Sequence, residues 1–538
     1  MNKSTQLTIL KELEENNLIV PNDWLIKFEN YNFDLYTSDI ESHGIKTTWL
    51  YICKYILSCK KTVDFFNISN LGELYETALA INDKQQKKNN GQYYTPNDVA
   101  SVMSSWLKVL NSYNVCDVAC GTGKLILTYL ELIGKKEAIT LLNSNRIYLY
   151  DNDEVALAIC VTSILAKYGI QYSNNINICL GDFLDKNLHL PSNCKVISNP
   201  PYSRFSATLD SWENTKIQHE TKEIYAAFME KIISESECSV IITPYSFIGG
   251  SKFYPLRELM NNYTGFIVSF DNVPGNIFYG KKHGVFNTNT SNSVRAAITV
   301  VQGKTQDTKG FRLSPLIRFK NEERDKLLNC KILESTLSNK YQIVNKNNSA
   351  YIKCKKELED VFDSWINNSK NTLKDLLSTK TKILNLFIPN TCRYYTTASS
   401  YKLKRTGMIT LSFEDEKNFN FVYCLINSSF AYWWWRIFDG GITYSISLLH
   451  SLPTFMDALT EDDHNFFNKT SKDMIKHEKE YIVTKMNAGA IQENIKFPSK
   501  YRNKINQRFL KILGFENFNA ELFDNIHTNN FLGDNNDN

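Results

Sequence analysis

Val115-Cys116-Asp117-Val118-Ala119-Cys120-Gly121-Thr122-Gly123-Lys124-Leu125 is the stretch that sets the fold. A short apolar run ends in an acid, a glycine turn follows, and Leu125-Ile126-Leu127-Thr128-Tyr129-Leu130 continues as a helix. This reads as a strand–turn–helix unit, and glycines at 121 and 123 let the turn close tightly against a bound small molecule. It is not a Walker loop, because no G-x-x-x-x-G-K-[ST] is present, and Ile126 breaks G-x-G-x-x-G, which weakens a dinucleotide reading.

Three further strand ends carry groups of the same kind. Arg146-Ile147-Tyr148-Leu149-Tyr150 ends in Asp151-Asn152-Asp153, where an acid is placed to accept ribose hydroxyls and either Asp151 or Asp153 fits the register. After a helix over 154–168, the strand Ile176-Asn177-Ile178-Cys179-Leu180 leads to Gly181-Asp182-Phe183-Leu184, an acidic–aromatic pair suited to an adenine amino group and its ring. Lys195-Val196-Ile197-Ser198 then runs into Asn199-Pro200-Pro201-Tyr202. The prolines fix φ and end any ladder, and the first pushes Asn199 into an extended conformation. The Asn199 amide oxygen and the Pro200 carbonyl can accept from an NH2 group, while Tyr202 offers a stacking surface. Each segment alone is an ordinary loop or cap. Their recurrence at four successive strand ends points to one ligand site.

Ahead of these, Gly91-Gln92-Tyr93-Tyr94-Thr95-Pro96 is followed by a helix that Pro96 opens, with Thr95 as its N-cap. Behind them, Ser203–Thr221 is long, polar and aperiodic, and reads as a mobile loop beside the site. An amphipathic helix over 223–236 and strands at 239–244, 264–270 and 295–300 complete a Rossmann-like domain of about seven strands over 89–305. Residues 1–88 read as a helical segment ending in a charged linker, and 306–527 as a separate α+β region with a disordered tail at 528–538.

Bulk properties bound the rest. A chain of 538 residues exceeds a single core, and a net charge of +4 does not by itself imply a nucleic-acid partner. No apolar run reaches a membrane span, and the N-terminus lacks a signal peptide's apolar core. Twelve cysteines are scattered without a C-x-x-C pair, which fits reduced thiols in a cytoplasmic protein and no metal site.

In their order, Gly91–Pro96, Asp117–Gly123 and Asn199–Tyr202 resemble the gamma-class amino-methyltransferases acting on adenine in DNA, a group that includes type I modification subunits and TaqI- and Eco57I-like enzymes. The resemblance covers 89–305. It implies that Tyr94, Thr95 and Pro96 contact the methionine end of S-adenosyl-L-methionine, and that Asp117, Ala119, Cys120, Gly121 and Gly123 form the turn around its amino acid and ribose. Val118 stands where the family usually has proline. Asp151 and Asn152 match the ribose contacts, Asp182 and Phe183 the adenine contacts, and Asn199, Pro200, Pro201 and Tyr202 the catalytic tetrad. The implied reaction is methyl transfer to the N6 amino group of an adenine flipped out of duplex DNA. Phe278 is the choice for the second aromatic wall of the base pocket and Phe286 the reserve. The implied partners are double-stranded DNA and a cognate restriction endonuclease or specificity subunit, in a bacterial cytoplasm or nucleoid.

Beyond the domain, Cys392–Thr397 and Ser399–Arg405 interleave aromatic and basic residues as a DNA-contacting surface does, or as a strand edge with solvated lysines. Leu425–Arg436 with Leu449–Pro453 resembles a repeat unit of target-recognition domains, its tryptophans reading as core. Two rivals stay open: the same turn acting on cytosine N4, RNA adenine or protein glutamine, and a non-catalytic DNA-binding subunit on a retained fold.

Overall fold

The computed structural model describes Gly72 and residues 95–524, except 173, 273, 279–293, 305–307, 348, 379–383, 392–394, 440, 442, 488–489 and 520. The helical reading of 1–88 (Gly72 apart) and the tail from 528 fall outside the described residues. The chain divides into two compact units, the first being Met1–Arg312, Phe319–Ser335 and Tyr341–Ser349, the second Leu313–Arg318, Thr336–Lys340 and Ala350–Asn538.

Apolar runs of five to eight residues between polar turns build a mixed, eight-stranded sheet. Its strands are β1 (Asn114–Val118), β2 (Ile147–Asp151), β3 (Ile176–Leu180), β4 (Cys194–Ser198), β5 (Cys238–Pro244), β6 (Thr264–Phe270), β7 (Ala296–Gly303) and β8 (Gly310–Ile317). The order is β3-β2-β1-β4-β5-β7-β6-β8. The first five are parallel to one another, and β7 runs antiparallel between β5 and β6. The strands expected over 89–305 are β1 to β7, and the sheet gains an eighth, β8, beyond that boundary. Both β1 and β4 are buried along their whole length, as parallel strands covered on two faces must be.

Helix Asn97–Val109 buries Val99, Val102, Met103, Trp106 and Leu107 at three- and four-residue spacing. Its C-terminal end is satisfied by the Lys195 ammonium, which leaves the sheet to donate to the Leu107 and Leu110 carbonyls at 3.1 and 2.9 Å. The N-terminal end differs from expectation. Pro96, not Thr95, occupies the cap position, and the Thr95 hydroxyl accepts from the Asn199 amide.

Ser203–Thr221 is pinned rather than loose. It contains helix Lys216–Thr221, capped by Thr215, and bridges Asp185 through Trp212. Nothing periodic announced this, since the anchors are single side chains. The segments 322–340 and 353–378 hold only short α-helices, Arg324–Leu327, Cys330–Ser335 and Glu359–Asn367, among the described residues. Asn329 and Asn368, which favour turns, stand at two of their ends.

The second unit packs helices Glu416–Ile426, Ser429–Phe438, Glu461–His477 and Ser499–Ile512 around one aromatic core. Trp433, Trp434 and Trp435 all lie in that core. Ser428 caps the helix that carries them, and Asn427 brackets Ala398 with both amide ends. Among the described residues no helix is long and apolar enough to cross a membrane.

Candidate functional site

Strand order places the site. Asp117, Asp151, Asp182 and Asn199 end or follow β1, β2, β3 and β4, four adjacent parallel strands, so their loops share one edge of the sheet. The chain reverses its direction of strand addition between β1 and β4, the switch point where open α/β sheets hold ligands. Ser198 locks the two strand ends together by donating to the Val118 carbonyl at 2.6 Å.

The turn after β1 has a distinct job for each residue. Asp117 is fully buried, and its Oδ2 accepts from the Ile126 N–H at 3.0 Å. Its Oδ1 has no hydrogen-bond partner among the described residues. Burial pushes its pKa well above the carboxylate range, against the pull of the Ile126 N–H, and the nearby Asp151 adds to the rise. Ala119 holds a left-handed φ of 58°, which costs a residue with a Cβ about 1 kcal/mol or more. Gly121 and Gly123 take φ of 53° and 91°. Space separates the two glycines. Among the described residues a Cβ on Gly121 would meet nothing within 4 Å, whereas one on Gly123 would stand 2.6 Å from the Cys160 sulfur. Gly123 thus serves helix packing, and Gly121 borders space that no described atom fills. Cys120 is buried, its N–H donating to the Tyr150 carbonyl, and burial raises its thiol pKa. Helix Lys124–Ile133 starts with neither a side-chain cap nor an acid in its first turn.

At the end of β2, Asp151 accepts from Gly121 N–H at 2.7 Å and from Asp153 N–H at 2.8 Å. Burial raises its pKa, and those two N–H groups restrain the rise. Asp153, the alternative in this register, caps helix Glu154–Tyr168 by accepting from Val155 and Ala156 N–H. Asn152 is exposed. After β3, Asp182 accepts from Leu184 N–H and, at 2.8 Å, from the Trp212 indole N–H. Phe183 is buried between Tyr150 and Phe228, with ring centroids 5.6 and 5.1 Å away.

At the end of β4, Asn199 is half-buried and held from two sides. Its Nδ2 donates to Thr95 Oγ1 at 3.0 Å, and its Oδ1 accepts from the Tyr202 hydroxyl at 2.9 Å. Pro200 is buried and Pro201 half-buried. The Tyr202 ring meets Phe278 edge-on, centroids 5.9 Å apart, and Tyr225 at 6.4 Å. Phe278 is itself buried. The chain beyond Tyr202 is fixed by Glu223, whose Oε1 receives Arg204 and Lys252 at 2.7 Å each. Tyr94 and Phe286 lie outside the described residues. Trp212 and Glu223 are the contacts that sequence reasoning missed; both act across a loop that has no repeating pattern to mark them.

Residues 67–329 match the N-6 DNA Methylase family. Over 155 residues the chain is 26% identical to the type I restriction enzyme MpnII methylase subunit of Mycoplasma pneumoniae, covering 27% of this chain and 26% of that protein. The chain thus spans about a quarter of that curated relative's length. Among solved structures, a modification subunit of a putative type I restriction enzyme from Vibrio vulnificus is 16% identical at a TM-score of 0.33, covering 58% of this chain and 62% of that one. A DrdV–DNA complex is 11% identical at a TM-score of 0.44, covering 80% and 62% respectively.

Proposed function

We propose that this protein, whose residues 67–329 match the N-6 DNA Methylase family, is a site-specific, S-adenosylmethionine-dependent DNA methyltransferase acting on adenine N6. The observation that carries the reading is the Asn199 amide. It stands at a parallel strand's end, tethered at its nitrogen to Thr95, with its oxygen beside Tyr202 and next to the Asp117–Gly123 turn.

The residues of that turn fit the donor. Asp117 offers a buried carboxylate oxygen short of a partner, which an ammonium group would stabilise in its charged form. Asp151 borders the same turn and retains lone pairs for ribose hydroxyls, since its two oxygens each accept one of the N–H bonds described. Asp182 with Phe183, Thr95 with Pro96, and the open side of Gly121 complete the donor site in this reading. When bound, S-adenosylmethionine supplies an electrophilic methyl group on a sulfonium.

An adenine amino nitrogen is a poor nucleophile because its lone pair is shared with the ring. Accepting its two N–H bonds, at Asn199 Oδ1 and the Pro200 carbonyl, favours a more tetrahedral nitrogen with a directed lone pair. Two fixed acceptors also hold that nitrogen in one place, and positioning of this kind carries much of an enzyme's rate advantage. Tyr202 is the stacking surface for the flipped base and Phe278 the second wall. In the structure the Tyr202 hydroxyl sits on Asn199 Oδ1, so base entry exchanges that bond for the base's amino group.

The remaining chain supports a DNA reader. In the second unit Tyr401, Lys402 and Lys404 are exposed on a segment whose Ser400 is anchored to buried Glu478 at 2.7 and 2.9 Å. We assign target recognition to 306–527, catalysis to 89–305, and a bacterial restriction-modification or marking role to the whole, with double-stranded DNA as partner. Long-read sequencing of DNA from cells expressing the protein tests this by naming the modified base and its context. Asn199→Ala is expected to abolish that mark while leaving donor affinity by isothermal titration within about threefold of wild type. Methylation undiminished in Asn199→Ala refutes the mechanism, and a base other than adenine refutes the substrate.

A further inference from the structure

We infer that Arg324 is a positioning residue that holds both walls of the base site in register; this rests on the methyltransferase reading above. Arg324 opens the short helix Arg324–Leu327 and is 1% exposed. A buried guanidinium is tolerated only when its donors are used. Here they are shared between two segments. Its Nε and Nη2 make a forked pair with the two oxygens of Asp98, the Nη2 arm at 2.9 Å. Its Nη1 donates to the Asn276 carbonyl at 2.8 Å, and Nη2 also donates to the Ile277 carbonyl at 2.6 Å.

Each acceptor leads to one wall. Asp98 lies in the first turn of helix Asn97–Val109, three residues after Thr95, whose hydroxyl receives the Asn199 amide. Asn276 and Ile277 immediately precede Phe278, and the Asn276 side chain accepts from the Phe278 N–H at 2.8 Å. Phe278 in turn lies against the Tyr202 ring. One planar cation therefore sets the spacing between the Thr95 side and the Phe278 side of the pocket around Asn199. A lysine would not reproduce this, because a point charge on a flexible stem cannot present a fixed fork to a carboxylate and two carbonyls at once.

Arg324→Met and Asp98→Asn test the inference in the full-length protein. Donor affinity and the fraction of molecules that bind donor are measured by isothermal titration. The single-turnover methylation rate on duplex DNA is then expressed per donor-binding molecule. In Arg324→Met the rate is expected to fall about tenfold or more, since displacements near 1 Å cost up to a hundredfold. Asp98→Asn, which keeps one oxygen for the fork, should fall less. Donor affinity should stay within about threefold in both, and Arg324→Lys should not restore the rate. Rates within twofold of wild type in both variants overturn the inference. Donor affinity falling in step with the rate also overturns it, because that marks general loosening. If Arg324→Met does not fold, Asp98→Asn decides alone: a rate within twofold of wild type counts against the inference. Wild-type protein in the same assay separates the two readings. If it leaves adenine unmethylated the proposed function fails, and if it methylates while the variants are unimpaired only the positioning role fails.

Discussion

Thr95→Val tests how the Asn199 amide is held. The hydroxyl of Thr95 is 5% exposed with its residue and accepts the Asn199 Nδ2–H at 3.0 Å. Valine keeps the shape and removes the acceptor. A hydrogen bond of this kind contributes about 1 kcal/mol net, so the expected loss at the half-buried Asn199 is about 1 kcal/mol of folding stability. The catalytic loss follows from the same bond. Once a base displaces the Tyr202 hydroxyl from Oδ1, Thr95 still orients the amide through its nitrogen. Removing a bias of about 1 kcal/mol lowers the productive orientation by about fivefold. The assay is single-turnover methyl transfer at saturating donor, with donor affinity measured separately and Thr95→Ser as rescue. A Thr95→Val rate within twofold of wild type refutes the tether. A loss confined to donor affinity, with the saturated rate intact, reassigns Thr95 to the donor alone.

Two further outcomes are expected. Burial first, and the neighbouring Glu213 charge as well, raise Glu230 from 4.5 to about 7, against the Thr215 hydroxyl bond that lowers it. The folded chain therefore holds this proton more tightly than the unfolded chain, so the stability it contributes is present below about 4.5 and lost as pH rises to about 7. Glu230→Gln should melt higher than wild type at pH 8 by the equivalent of about 2–3 kcal/mol, with the gap closing towards pH 5; a gap independent of pH contradicts the assignment. Gly123→Ala should destabilise by about 3 kcal/mol, combining left-handed strain with a clash on Cys160, against about 1 kcal/mol for Gly121→Ala. Urea unfolding ranks them, and equal losses would show that the two glycines do not divide packing from site space.

The strand ends were legible because their signals are local. An apolar run of five residues, then a glycine or proline turn with a polar tip, is written in consecutive letters, and the parallel order of β1 to β5 brings those tips together. The eighth strand was missed because it lies past the boundary drawn at the last obvious apolar run. The loop Ser203–Thr221 was misread as mobile because the bonds that pin it, such as Trp212 to Asp182 across 30 residues, have no period. Asp153 shows the opposite limit: Asp151-Asn152-Asp153 offered two acids in one register, and only the start of helix Glu154–Tyr168 assigned one of them to capping.

The sequence by itself determined the elements, their order and the chemical character of each strand end, because backbone preferences and hydrophobic periodicity act over a few residues. Tertiary structure alone decided which groups meet. Thr95 abandons its helix for an amide 104 residues away, and Arg324 reaches back 226 residues to Asp98. Such contacts form between side chains with no shared segment, so no local pattern encodes them. They exist only because the sheet closes the distance and burial makes every unpaired polar group costly.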